Sequence, residues 1–340
     1  MPSFCRHNRL IQNCTICSRE QNLALRPIVS GGASTHERAR PSGDGNDRSA
    51  SSAAPGATRA AKPGRPRSST RDVRVRRLSR GADDGFQSSL VPGLRSTEDA
   101  ERLAEEIAFA ARRLNAIATE PHGLWLSLAD SSTDLEERIW LAFLIAYIGP
   151  ADSDEPFAAI DAARTRWASG ESPNWAVVQA GPRGAFDPGR SDATLTAYRA
   201  WAQRAGSQAV AFRGEAAWAA ERRFERVYER LALPGMTRDA RFELLVLLGR
   251  SGICELRAGK LALTGENEVT WAAKRGLGIG DPLLLERRAA DLAAACGAPL
   301  EALDLAFHNW GSGQRTGAGL AVDSEPDADV LARAQEALGL

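Results

Sequence analysis

The sequence predicts an all-α fold, and three observations carry that expectation. From about residue 96 onward, apolar residues recur three and four positions apart, the spacing that gathers them on one side of a helix. Capping residues and Pro-Gly or Gly-Pro breaks punctuate the pattern at lengths that suit helices. No run alternates apolar and polar residues as a half-buried strand would, and no fixed-period repeat is visible.

The elements follow in order. Ser96 or Thr97 caps a first helix with acids in its opening turn, and Leu103, Ile107, Ala110, Leu114 and Ile117 form its apolar side. Thr133 or Asp134 starts a second, carrying Ile139, Trp140, Phe143, Leu144 and Tyr147, and Gly149-Pro150 stops it. Phe157 to Trp167 reads as a third, Thr194 to Ala205 as a fourth and Ala211 to Leu231 as a fifth. Leu233-Pro234-Gly235 breaks the chain before a sixth, Arg238 to Leu248. Thr270 to Leu277, Leu283 to Ala295 and Leu300 to Phe307 follow, and Asp327 to Leu338 closes the series. The short Lys260-Leu261-Ala262-Leu263 segment is at most part of a small hairpin.

Composition sets the outer bounds. The 340 residues, 43% of them hydrophobic, leave room for one large or two small domains with a substantial core. No apolar run approaches the roughly 20 residues of a membrane span, and no secretory segment precedes the rest, so no membrane partner is expected and the expected location is cytoplasmic. Formal net charge is zero, yet residues 36–80 hold twelve Arg or Lys against four Asp or Glu, so the remainder is acidic. Only Lys62, Lys260 and Lys274 are lysines; arginine, whose planar fork suits phosphates and carboxylates, supplies nearly all positive charge.

The N-terminal seventeen residues are a different kind of sequence. Cys5-Arg6-His7 and Cys14-Thr15-Ile16-Cys17 place two thiolates on one turn and a Cys-x-His pair nearby. Cys5, His7, Cys14 and Cys17 thus form a donor set suited to a structural Zn²⁺, which would supply folding energy to a stretch too polar for a core. Free thiols on an unstructured terminus are the other reading. Cys254 and Cys296 lie in apolar helical contexts. The expected organisation is a zinc knuckle over 1–26 and a disordered Arg/Pro/Ser/Gly-rich linker over 27–90. A helical domain over 91–315 and a tail with a short helix over 316–340 complete it. The linker reads equally as a nucleic-acid-binding arm, gaining affinity by counterion release, or as a solvated tether.

Two C-terminal blocks are candidates for chemistry. Leu231 to Arg238 reads as helix, Pro-Gly turn, helix, a geometry in which backbone N–H groups near Gly235 and the helix start at Arg238 can hold a phosphate. An ordinary helix–helix turn is the competing reading. In the second block Glu266, Asn267 and Glu268 precede a helix carrying Trp271, Lys274 and Arg275. Gly278-Ile279-Gly280-Asp281 then opens a further helix with Arg287 and Arg288. The acids fit helix capping and dipole complementation, or a general base with an electrostatic partner.

The stretch from Leu233-Pro234-Gly235 through Ala272-Ala273-Lys274-Arg275-Gly276-Leu277-Gly278-Ile279-Gly280-Asp281 to Leu303-Asp304-Leu305-Ala306-Phe307-His308-Asn309-Trp310, together with the N-terminal cysteine run, resembles the alpha-glutamyl/putrescinyl thymine pyrophosphorylases, clade 3. The resemblance implies a helical fold related to helix-hairpin-helix DNA glycosylases. It implies DNA and an amine or amino acid as partners, and replacement of pyrophosphate on an activated 5-hydroxymethyl pyrimidine by that amine. Such chemistry needs a base out of the stack, cations on the leaving pyrophosphate and a carboxylate to take a proton. Glu266, Glu268 and Lys274 are the expected catalytic residues, and Arg275, Arg287, Arg288, Gly235, Arg238, Asn267 and Trp310 the expected substrate- or phosphate-binding ones. The chain departs from a glycosylase pattern at two places. Asn267 falls near the position of a catalytic Asp, which argues against base excision unless Glu266 or Glu268 substitutes, and Thr237 replaces a second hairpin glycine. Glycosylase-like excision and a non-catalytic DNA-binding or defence-associated module remain the alternatives.

Overall fold

The computed structural model describes residues 81–340. The expected zinc ligands Cys5, His7, Cys14 and Cys17 and most of the expected linker lie outside the described residues. Among the described residues there are twelve α-helices and no strand, so the all-α expectation holds.

The core is built on two helices that are buried nearly all round. α3 (Leu135–Ile148) buries every residue from Ile139 to Ile148, and α11 (Ala302–Ser312) every residue from Ala302 to Trp310. Helices buried on every side belong inside a layered bundle. α1 (Thr97–Thr119) packs against α11 and against α12 (Ala328–Leu338), and it also touches α8 (Arg238–Arg250). α8 in turn packs against α3, and α9 (Glu268–Leu277) lies against the other side of α11. Gly311 lets α9 and α11 approach closely, since a Cβ there would stand 2.6 Å from that of Ala272. α2 (Leu124–Ala129), α4 (Ala158–Ala163), α5 (Ser191–Ala205), α6 (Gln208–Arg213), α7 (Ala220–Arg230) and α10 (Pro282–Ala295) complete the fold.

The expected apolar stripe of α1 is the buried one, but its cap is not the expected one. Ser96 makes no side-chain capping bond; the Asp84 carboxylate accepts from the Thr97 N–H at 2.9 Å instead. Asp84 reaches it because residues 81–90, expected to be linker, lie along the domain, with Phe86 and Leu90 against the core. The expected tail is likewise part of the domain: α12 packs on α1, and the Ala318 carbonyl accepts from Arg113.

Three other elements differ from expectation for identifiable reasons. The fifth helix is split into α6 and α7, because Gly214 adopts φ +59° and the Trp218 ring fills the space a Cβ would occupy. The third is cut to α4 and a 3₁₀ turn at Trp167–Ser169. The Glu137 carboxylate accepts from the N–H groups of Trp167 and Ala168, and Thr165 accepts from the Trp140 indole. The Lys260–Leu263 segment pairs with no strand: the N–H groups of Leu261 and Leu263 donate to the Glu286 carboxylate on α10.

Candidate functional site

Three polar residues interrupt the apolar run of α11; Asn309 is bonded to Glu106 and Thr316, and the other two form a separate site. Asp304 and His308 are one turn apart, so they share a face of that helix. Both are buried.

Asp304 is held between two guanidiniums. Arg238, the first residue of α8, donates to one of its oxygens and to the Leu261 carbonyl; Arg183 donates to the other oxygen at 2.5 Å. Asp239 completes the cluster, 3.0 Å from Arg238 and 4.0 Å from Arg183, so two cations face two carboxylates. Burial alone would raise the Asp304 pKa, but Arg238 and Arg183 outweigh it and hold the carboxyl below its ordinary range. Arg183 arrives on the segment between α4 and α5, which turns back over the C-terminal end of α3. Gly181 and Ala185 donate to the carbonyls of Ile148 and Tyr147. That turn requires glycine, because a Cβ at Gly184 would stand 2.0 Å from the Ile148 oxygen. Beside this cluster Arg113 of α1 pairs with Glu243 of α8, and the two networks line a cavity of about 10 Å³, room for one water at most.

His308 lies on the α9 side of this cluster. Its Nδ1 is 3.6 Å from a carboxylate oxygen of Glu268, the first residue of α9. The imidazole side chain is 9% exposed and the Glu268 side chain 61%, so the carboxylate faces solvent with the ring behind it. Burial, reinforced by the Arg183 charge, pushes the His308 pKa down to about 4, so the ring is neutral at physiological pH. His308 Nδ1, Arg183 Nε and Nη1, and Arg238 Nε are buried without a hydrogen-bond partner. Buried polar groups without a protein partner are uncommon in folded proteins.

The expected site residues fall into separate places. Asn267 is the N-cap of α9: its side-chain oxygen accepts from the Thr270 N–H at 2.9 Å and its amide donates to the Thr264 carbonyl. Glu266 is exposed in the loop just before it. Lys274 is six residues beyond Glu268, about 9 Å along the helix axis and on a different side. Arg275 lays its guanidinium 3.8 Å from the centre of the Trp310 ring, and Trp310 is a core residue whose indole N–H donates to the Asp99 carbonyl. Arg287 is exposed and Arg288 half-buried on α10. Gly235, at φ +80°, faces Thr194 of α5, whose hydroxyl would be 1.9 Å from a Cβ. Arg238 points inward to Asp304, so its charge is neutralised within the fold.

The grouping that the sequence reading missed is Arg183, Asp304 and His308. Its signal was the i, i+4 pair Asp304 and His308 inside a mostly apolar helix. Arg183 carries no such signal, since it comes from an irregular segment. Among the described residues no group of three His, Cys, Asp or Glu side chains is placed to hold a metal, and no helix is long and apolar enough to cross a membrane. No family model matches the chain, and neither a curated protein nor a solved structure matches it.

Proposed function

We propose that the helical domain is a transferase on DNA that replaces pyrophosphate on an activated 5-hydroxymethyl pyrimidine with an amine or amino acid, and that Glu268, positioned by His308, handles the proton. One observation carries the reading: a neutral imidazole with an unpartnered Nδ1 stands 3.6 Å from a solvent-facing carboxylate. The resemblance of the α9–α11 sequence to the pyrophosphorylases supports the substrate class.

The reaction forms a C–N bond at the 5-methylene carbon and breaks the C–O bond to pyrophosphate, which leaves with the electron pair. The attacking amine sheds one proton. Glu268, at the rim, is the group that meets a cationic amine and takes its proton, and the neutral His308 ring behind it positions that carboxylate. Positioned general bases contribute about 10²–10⁴-fold. Lys274, Arg275, Arg287 and Arg288 on α9 and α10 are the cations proposed for the leaving group. Glu266 would assist at the loop before α9. Asn267, as a cap, would orient Glu268. Arg238, Gly235 and Trp310 act in this reading by holding the helices that carry the site. Cys5, His7, Cys14 and Cys17 are proposed to bind one structural Zn²⁺. Action in the cytoplasm is part of the same proposal.

The test is nucleoside mass analysis after incubating the full chain with DNA bearing pyrophosphorylated 5-hydroxymethyluracil and either putrescine or glutamate. An amine adduct supports the reading. An abasic site would replace it with base excision, and unchanged DNA with both amines would refute it.

A further inference from the structure

We propose that the groove between α5, α6 and α7 is the surface that grips the phosphate backbone of DNA. This rests on the reading of the domain as a DNA enzyme, but it uses none of the residues of the α9–α11 site. The groove has a volume of about 410 Å³ and is lined by Trp201, Arg204, Ala205, Ala211 and Arg230.

Its charge is preorganised. On α7, Arg222, Arg226 and Arg230 are four residues apart, so they form a row on one face with a rise of about 6 Å between neighbours. Arg222 and Arg230 both converge on the Trp218 ring, with guanidinium carbons 5.9 and 5.4 Å from its centre. Trp218 is itself fixed: it fills the space beside Gly214, and its carbonyl accepts from the buried Arg223. A guanidinium stacked on an indole loses little further freedom on binding and keeps its N–H edges for an anion. Two of the three acids of α7 are engaged away from the row, and the third pairs with its middle member. Glu221 pairs with Arg257 and Glu225 with Lys260, and Glu229 pairs only with Arg226 in the row. Arg204 faces the row from α5 and is exposed.

Arg222 and Arg230, held about two turns apart on one indole, with Arg204 beside Arg230 in the groove, match a repeating polyanion better than a single small anion. At the hairpin of Gly235, by contrast, the Arg238 charge is bonded to Asp304 within the fold.

The test measures binding of the full chain to unmodified double-stranded DNA across a salt series. The wild type is compared with the triple variant Arg204→Gln/Arg222→Gln/Arg230→Gln and with the charge-preserving triple Lys variant. Each lost phosphate contact lowers the slope of log K against log salt by about 0.9, so the Gln variant should lose roughly two to three units of slope. That reading is independent of contacts made by residues 36–80. The Lys variant should keep the slope, which separates lost charge from lost folding. An unchanged slope in the Gln variant overturns the proposal. So does loss of binding to vesicles of phosphatidylcholine and phosphatidylserine with DNA binding intact, which would assign the groove to anionic lipid. A lost slope in a chain that never modifies DNA would keep this surface and remove the catalytic reading; an unchanged slope with amine adducts formed would do the reverse.

Discussion

The Asp304 carboxylate is bonded to the Arg238 guanidinium with both side chains buried, α11 to α8. Arg183 shares the same carboxylate, so Asp304 is bonded to both buried cations, with Asp239 beside them. Removing Asp304 leaves both cations with the more exposed Asp239 alone. Asp304→Asn should therefore destabilise the domain by about 3–5 kcal/mol, the usual cost of breaking a buried pair from one side. Urea unfolding measures it; a change below about 1 kcal/mol, the range of an exposed pair, would mean the cluster is not desolvated.

His308 makes stability depend on pH. Its folded pKa of about 4 is below the ordinary 6.5, so between those values the unfolded chain binds a proton that the folded chain does not. Stability is full above about pH 6.5 and falls as pH drops toward 4, by about 3 kcal/mol in all. Asp304 acts lower: its folded pKa is depressed below 3.8, so its contribution fades only as pH falls through that folded value. Unfolding free energies from pH 4 to 7 should show this slope in the wild type and a clearly smaller one in His308→Gln.

Gly184 is a steric requirement of the turn that delivers Arg183. Gly184→Ala forces a Cβ toward the Ile148 carbonyl and should cost about 1–3 kcal/mol or more. Gly280, with nothing within 4 Å of its Cβ position, is the control, and Gly280→Ala should be neutral. Thermal unfolding of the two variants decides it, and equal midpoints would contradict the packing described.

How much of this was legible in the sequence follows from what carries each signal. The stripes of α1 and α3 were legible because burial on a helix repeats every turn, as at Leu103, Ile107 and Leu114. The Asp84 cap was not, because a long-range carboxylate replaces Ser96 and leaves no local pattern. The split of the fifth helix turns on Gly214 and Trp218 meeting in space. At the site, Glu268 was picked out by its position at a helix entrance, whereas His308 needed the packing of α9 on α11 to bring it near. Arg238 was recognised as a cation, but its partner Asp304 is far along the chain, so its inward direction had no local sign.

The N-terminal donor set makes a separate prediction. The full chain should carry one zinc per molecule by mass spectrometry of the purified protein, and Cys14→Ser should lose it. Metal content near zero in wild-type protein purified without chelator would refute a Cys5/His7/Cys14/Cys17 site.

The most direct test of the central claim is the rate of amine adduct formation on pyrophosphorylated 5-hydroxymethyluracil DNA in wild type, His308→Gln and Glu268→Gln, with thermal midpoints measured alongside. The account predicts that both variants stay folded at pH 7 and lose about 10²-fold or more in rate. Folded variants that form adduct at the wild-type rate would contradict it.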